Sequence, residues 1–252
     1  MKVLILFILL FFGLNLSLAG TIDPSTPDTK YVTYGKSFEF ICSISGSYEN
    51  KTLFSASSVI IDSHHIITAA HVLKGAESCL VKLKDKSYPL SHMVYHDKYE
   101  EKIFGLYDIA IAYSKEDFSL KFYPPLYETS DEVGKVCCIS GYGLTGTFST
   151  GAARYDGVRR AGSNKVDFID KELLMCSISH KNTQGFTELE FLIGSGDSGG
   201  GLFIDGKLAG INSCVISAHK DKILSKYGCE SGHTRVSQYI DWIKNNINNE
   251  KK

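Results

Sequence analysis

The chain has no surplus of charge of either sign. Across its 252 residues, 27 Lys and Arg stand against 28 Asp and Glu, for a net charge of −1. The basic residues form no dense run or stripe, so no nucleic-acid partner is expected. Zinc chemistry also lacks its signature. None of the seven cysteines pairs with another across a two-residue gap, and no histidine cluster accompanies them. Beyond residue 19 no apolar run reaches the roughly 20 residues needed to span a bilayer. No repeat or low-complexity tract is present. Hydrophobic residues at 43% and charged residues at 22% exclude a disordered chain. The length suits one large domain, or two small ones around a shared core.

What is present begins with a leader. Lys2 precedes an apolar run from Val3 to Leu14, and the small residues Ser17 and Ala19 fit a signal-peptidase site before Gly20. The run is too short for a membrane anchor, the competing reading. Residues 1–19 are therefore read as a signal peptide and 20–252 as a secreted, extracellular domain with no membrane contact after cleavage. Oxidising surroundings would allow up to three bridges among Cys42, Cys79, Cys137, Cys138, Cys176, Cys214 and Cys229, with one cysteine left over. Asn50-Lys51-Thr52 is a glycosylation acceptor if its loop is exposed.

Gly20–Gly35 is rich in Thr, Asp and Pro without apolar period, and reads as an exposed arm. Short β-rich runs follow: Phe38–Ile44, Ser57–Ile61, Ile66–Thr68, Cys79–Leu83, Ile109–Tyr113, Lys135–Ile139, Glu188–Ile193, Gly201–Ile204 and Leu208–Ser213. The Tyr123–Thr129 stretch, with Pro124-Pro125, reads as a linker between two β-halves. Helical period emerges at Val236–Ile247, where Val236, Tyr239, Ile240, Ile243 and Ile247 recur at spacings of three and four. The pattern implies a mainly antiparallel β protein; by itself it does not separate a sandwich from a pair of barrels.

The strongest chemical signal is Gly194-Ser195-Gly196-Asp197-Ser198-Gly199-Gly200-Gly201. A serine hydroxyl is a weak nucleophile until a base takes its proton and donors receive the oxyanion formed on attack. Glycines let the backbone turn so that amides, here those of Gly196 and Ser198, converge on one spot. The plainer reading is a Gly/Ser surface loop. Candidate partners lie far away in sequence. His71 ends the small-residue turn Thr68-Ala69-Ala70-His71, and Asp108 enters the apolar strand Ile109-Ala110-Ile111. A buried acid needs a partner. Together the three supply a nucleophile, a proton shuttle and an acid that fixes the imidazole tautomer.

These segments resemble the trypsin/chymotrypsin-like family of serine proteases. The resemblance rests on Ala69-Ala70-His71, Asp108-Ile109-Ala110, Gly196-Asp197-Ser198-Gly199-Gly200, Ile139-Ser140-Gly141-Tyr142-Gly143, Gly210-Ile211-Asn212-Ser213, and Thr234-Arg235-Val236 with Tyr239-Ile240-Asp241-Trp242-Ile243. The order His, Asp, Ser is this family's order. The resemblance implies an all-β fold of two six-stranded antiparallel β-barrels with a C-terminal helix: an N-terminal barrel over about 36–122, a C-terminal barrel over about 130–235, and the helix at 236–247. It implies a secreted serine endopeptidase acting through an acyl-enzyme intermediate, with catalytic His71, Asp108 and Ser198, oxyanion donors Gly196 and Ser198, and Ser213 supporting Asp108. No metal or organic cofactor is implied. Polypeptide substrates and protein protease inhibitors are the expected partners of an expected monomer. The alternative is a catalytically silent homologue serving as a protein-binding module.

The resemblance also places the specificity pocket at Leu192, with Val215 and Gly232 on its walls. Leu192 cannot pair with Lys or Arg, so cleavage after basic residues is disfavoured, and Val215 in a glycine's place should favour small or medium aliphatic side chains. His233 raises the option of binding acidic side chains, whereas His64 and His65 read as surface turn residues. Cys214 stands where the family has an aromatic residue. Ser55 and Val72 replace the cysteines bracketing the histidine, while Ile204 and Gly194 replace other cysteine partners. The family's zymogens mature by a cut after Arg or Lys that frees an Ile-Val-Gly-Gly amine to pair with the acid before the serine, here Asp197. This chain has no such tetrapeptide. The nearest candidate is Lys30-Tyr31-Val32; otherwise an amine near Gly20 or Thr21, or another group, must meet Asp197.

Overall fold

A computed structural model describes residues 20–103, 105–217 and 225–249. The leader read at 1–19 lies outside the described residues, as do residues 218–224.

The start of the described chain overturns the exposed-arm expectation. Gly20 is buried, β1 (Thr21–Ile22) is buried at both positions, and α1 (Asp28–Gly35) seats Tyr31 with no exposed surface. Two apolar anchors in a polar stretch carry too little period to be read. Ile22 joins the core beside Phe191, and the Tyr31 hydroxyl donates to the Glu190 carbonyl at 3.1 Å. Asp28 accepts a two-pronged bond from Arg160, at 2.7 and 2.8 Å, a geometry that suits the planar guanidinium.

Six strands then close into an antiparallel barrel: β2 (Ile41–Tyr48), β3 (Leu53–Ile60), β4 (His65–Thr68), β5 (Ala76–Leu83), β6 (Lys86–Tyr95) and β7 (Ala110–Ser114), in the spatial order β2-β3-β4-β7-β6-β5. The short helix α2 (Ala70–Leu73) leaves β4 and carries His71. The interior is filled by Ile41, Ile44, Val59, Ile60, Ile66, Ile67, Val81, Ile109 and Ile111, the β-branched residues that pack well on a pleated surface. His65 is buried on β4, contrary to the surface-turn expectation. Its Nδ1 meets Asp62 at 2.9 Å, and its ring lies against Tyr113.

The second half holds β8 (Val136–Gly141), β9 (Thr145–Thr147), β10 (Gly151–Arg154), β11 (Arg160–Lys165), β12 (Phe168–Asp170), β13 (Leu173–Ser177), β14 (Phe191–Leu192), β15 (Gly201–Ile204), β16 (Lys207–Ser217) and β17 (Cys229–Arg235). Seven form one antiparallel sheet, ordered β11-β8-β15-β16-β17-β13-β12, and β10-β9-β1-β14 form a smaller one. The second half thus pairs as a seven-stranded sheet and a smaller four-stranded one beside the closed first barrel. A 3₁₀ turn (Val236–Gln238) leads into α3 (Ile240–Asn249), whose Ile243 is buried in the core beside Val236 and Tyr239. The core of the first barrel continues into the second half through Phe203, Leu208 and Ile211.

None of the seven cysteines is bridged. The Cys137 and Cys176 sulfurs lie 4.0 Å apart as packed thiols, and Cys229 packs with Phe148 and Leu192. Ile204 and Gly194, at two of the positions where partners were expected, offer no sulfur.

Candidate active site

Asp108 enters β7 directly after Tyr107, whose backbone takes a left-handed φ of 57°. That conformation is uncommon outside glycine and persists when its surroundings over-determine it. Here the Tyr107 ring stacks on His96, and its amide donates to the Tyr239 hydroxyl at 3.1 Å. Asp108, 4% exposed, is encircled by donors. Its Oδ1 accepts the His71 amide at 2.9 Å, and its Oδ2 meets the His71 Nδ1 at 2.8 Å and the Ser213 hydroxyl at 2.6 Å. Thr234 holds the Asp108 carbonyl at 3.0 Å. One carboxylate therefore holds both the His71 amide and its imidazole, with Nδ1 as the ring donor. Burial lowers the His71 pKa, but the Asp108 charge and hydrogen bond outweigh it, so the net shift is upward. For Asp108, burial acts upward and is overcome by His71, Ser213 and the His71 amide, for a net downward shift.

The loop bearing Ser198 is docked on the first barrel just upstream of His71. The Ser57 amide donates to the Ser198 carbonyl at 2.9 Å, and the Ser57 hydroxyl donates to the Gly196 carbonyl at 2.8 Å. Thr68 donates to the Ser57 carbonyl at 2.8 Å. Gly199 makes this approach possible: at φ 82°, a Cβ there would lie 1.9 Å from the Thr68 hydroxyl. Ser198 is itself half-buried. Among the described residues, the Gly196 and Ser198 amides donate to no protein acceptor, the state an anion-receiving pair requires.

Asp197 points the other way, into the protein. It accepts the amides of Gly143 at 3.0 Å, Gly194 at 3.1 Å and Gly20. Burial pushes its carboxyl up to about 6 despite those three donors. A cleft of 240 Å³ opens beside His71 and Asp108, lined by Tyr99, Ile103, Gly105, Ser213 and Cys214, with Glu100 and Glu101 at its rim.

Residues 32–243 match the family profile described as trypsin. The chain belongs to the trypsin family. Two solved structures share its fold. One is a collagenase solved at 1.7 Å, 19% identical, covering 84% of this chain and 94% of its own, at a TM-score of 0.66. The other is neuropsin, a serine protease expressed in the limbic system of mouse brain, 20% identical, covering 84% and 95%, at a TM-score of 0.63.

Against the pocket expected from the trypsin family, the structure brings some residues together and separates others. Leu192 is fully buried with Phe148 and Cys229, and Val215 packs at the edge of that group. Gly232 faces elsewhere: a Cβ there would meet the Cys214 sulfur at 2.7 Å and the Leu173 side chain at 2.9 Å. Phe148 went unread because it lies 44 positions before Leu192 on a turn with no motif of its own. His233 is a correction. It is wholly buried, bonded to Asn212 and Ser231 at 2.9 Å each, and burial lowers its pKa to about 3. It stays neutral and cannot attract an acidic side chain. The nearby acid Glu190 is engaged by the Ser179 amide and by the Thr187 amide and hydroxyl. Asn50 is exposed in the turn after β2. Among the described residues no group of three or more His, Cys, Asp or Glu could hold a metal ion.

Proposed function

We propose that this chain is an active serine endopeptidase that hydrolyses peptide bonds through Ser198, His71 and Asp108. The observation that carries the reading is the His71 imidazole, tied through Nδ1 to a buried Asp108 that Ser213 also grips. In the reaction the Ser198 hydroxyl attacks the scissile carbonyl while His71 Nε2 takes its proton. The Gly196 and Ser198 amides receive the oxyanion, and His71 returns the proton to the leaving amine. Water then repeats the sequence on the acyl-enzyme. Asp108 stabilises the imidazolium that forms in each half. No cofactor enters.

The apolar group around Leu192 supports a preference for uncharged side chains before the scissile bond. An arginine placed there would lose its water and gain no partner. Secretion as a monomer after leader removal, a sugar on the exposed Asn50, and protein inhibitors as partners complete the reading. The test is digestion of an unstructured polypeptide. Wild type should cut it after aliphatic residues, and Ser198→Ala should cut it at least a thousandfold more slowly while melting at the same temperature. Equal rates for the two proteins would reject the assignment.

A further inference from the structure

Two thiols face each other across the core of the second half. Cys137, on β8, is 1% exposed, and Cys176, on β13, is fully buried. Their sulfurs lie 4.0 Å apart, in a cluster that includes Ile139, Leu174, Leu202 and Ile204. Strand pairing does not bring them together. In the seven-stranded sheet β15, β16 and β17 stand between β8 and β13, so the two sulfurs meet because the sheet curls and its ends approach. Among the described residues no hydrogen-bonded ladder joins those ends. The neighbour Cys138 is no competitor, because successive side chains on a strand point to opposite faces. Its sulfur is paired with the Tyr34 hydroxyl of α1 at 2.7 Å.

A disulfide holds its sulfurs at about 2.05 Å, so each would move by about 1 Å, within the swing of a side-chain torsion. We propose that Cys137 and Cys176 are a disulfide site, at which one bond closes the curled sheet of the second half. The bond forms by exchange with an oxidant of the disulfide class. One cysteine thiolate attacks a sulfur of the oxidant and expels a first thiol; the second cysteine then attacks the bound sulfur and expels the other. The chain loses two hydrogens, and the oxidant is reduced to two thiols. Timing follows from burial. The hydrogen bond with Cys137, and burial after it, hold the Cys176 thiol well above its ordinary pKa, so little thiolate exists once the core has packed. Oxidation therefore belongs to folding, while the sulfurs are within reach, and the finished bond is shielded from reductant. The two cysteines are 39 positions apart, a loop long enough for its closure to restrict the unfolded chain. The pairing is not one that the family resemblance implied, since Ile204 stands at the partner position for Cys137 and carries no sulfur. The proposal does not depend on Ser198 being a nucleophile.

The experiment folds the chain from Gly20 to Lys252 out of its reduced, denatured state, once with a mixture of reduced and oxidised glutathione and once with dithiothreitol. In the glutathione sample, peptide mapping without reductant should recover the Cys137 and Cys176 peptides as one linked species, lighter by two hydrogens than their sum. The link should persist in Cys138→Ala and vanish in Cys137→Ala and in Cys176→Ala. The wild-type and Cys138→Ala maps decide the matter even where the other two variants fail to fold. The bridged form should melt about 5–15 °C above the dithiothreitol form, and Cys138→Ala should keep that gap. Oxidised glutathione added to the folded, reduced protein should close the bond roughly tenfold or more slowly than it does during folding. Recovery of both cysteines as free thiols from the glutathione sample, or a link from either to a different cysteine, would overturn the proposal. Equal melting of the two forms would overturn the closing role given to the bond.

Discussion

At the scale of single residues, the proposed mechanism depends on which proton sits on His71. In it only the neutral imidazole takes the Ser198 proton, so activity should rise as pH climbs through the His71 pKa. Asp108 holds that pKa above the ordinary histidine value near 6.5, against the pull of burial. The acid limb of kcat/KM should therefore have its midpoint above 6.5 in wild type. In Asp108→Asn the uncompensated burial should move the midpoint below that value, with kcat lowered about 10⁴-fold by the wrong tautomer. A pH–rate profile of both proteins checks this, and an unmoved midpoint would contradict it. Stability follows the same pair with opposite signs. The raised His71 pKa contributes stability below its unfolded value that is lost as pH rises through the folded one. The lowered Asp108 pKa contributes stability above its unfolded value that is lost as pH falls. The pairing of these two residues was legible in the sequence because an acid entering an apolar strand needs a partner. His65 and His233 were not, because a histidine's burial depends on neighbours such as Asp62, Tyr113, Asn212 and Ser231 that only the fold assembles.

At the scale of elements, strands with apolar runs were legible and those with polar faces were not. Ile66–Thr68 and Gly201–Ile204 fall within β4 and β15 almost residue for residue. β17 reads Cys-Glu-Ser-Gly-His-Thr-Arg, with little apolar signal, yet Ser231, His233 and Thr234 are buried by bonding to one another's surroundings. β6 escaped because Pro89 and the left-handed His92 interrupt its alternation. α1 was not legible because about two turns of mostly polar residues hide a single buried tyrosine. Its attachment is ionic as well as apolar: the Arg160 side chain is only 5% exposed and holds both Asp28 and Asp156. Arg160→Ala should cost about 2–4 kcal/mol of stability by leaving Asp28 without its guanidinium and Asp156 with only the longer contact to Arg154. Urea unfolding measures it, and a loss below about 0.5 kcal/mol would show that α1 is held by packing alone.

At the scale of the whole molecule, the residues of the proposed site come from both halves. His71 and Asp108 come from the first barrel, Ser213 and the Ser198 loop from the second half, and Ser57 ties them across the junction. Its hydroxyl donates to Gly196 and accepts from the Tyr142 amide, each at 2.8 Å. Ser57→Ala strips both partners at once in a buried place, so it should cost about 1–3 kcal/mol and loosen the oxyanion loop. Its activity should fall while Ser198→Ala melting, measured in parallel, stays at the wild-type value. The family and the overall β architecture were readable from motifs spread across the chain, because those motifs are the chemistry. The seating of Gly20 against Asp197 was left among several possibilities, because nothing in a run of Thr, Asp and Pro announces a buried strand.

The central claim is a nucleophile at Ser198 activated by His71. Fluorophosphonate labelling of the form beginning at Gly20, followed by peptide mapping, addresses it most directly. One label per chain, on Ser198, which vanishes in His71→Ala, is the predicted result. A folded protein that takes no label, or takes it on any other residue, would contradict the account.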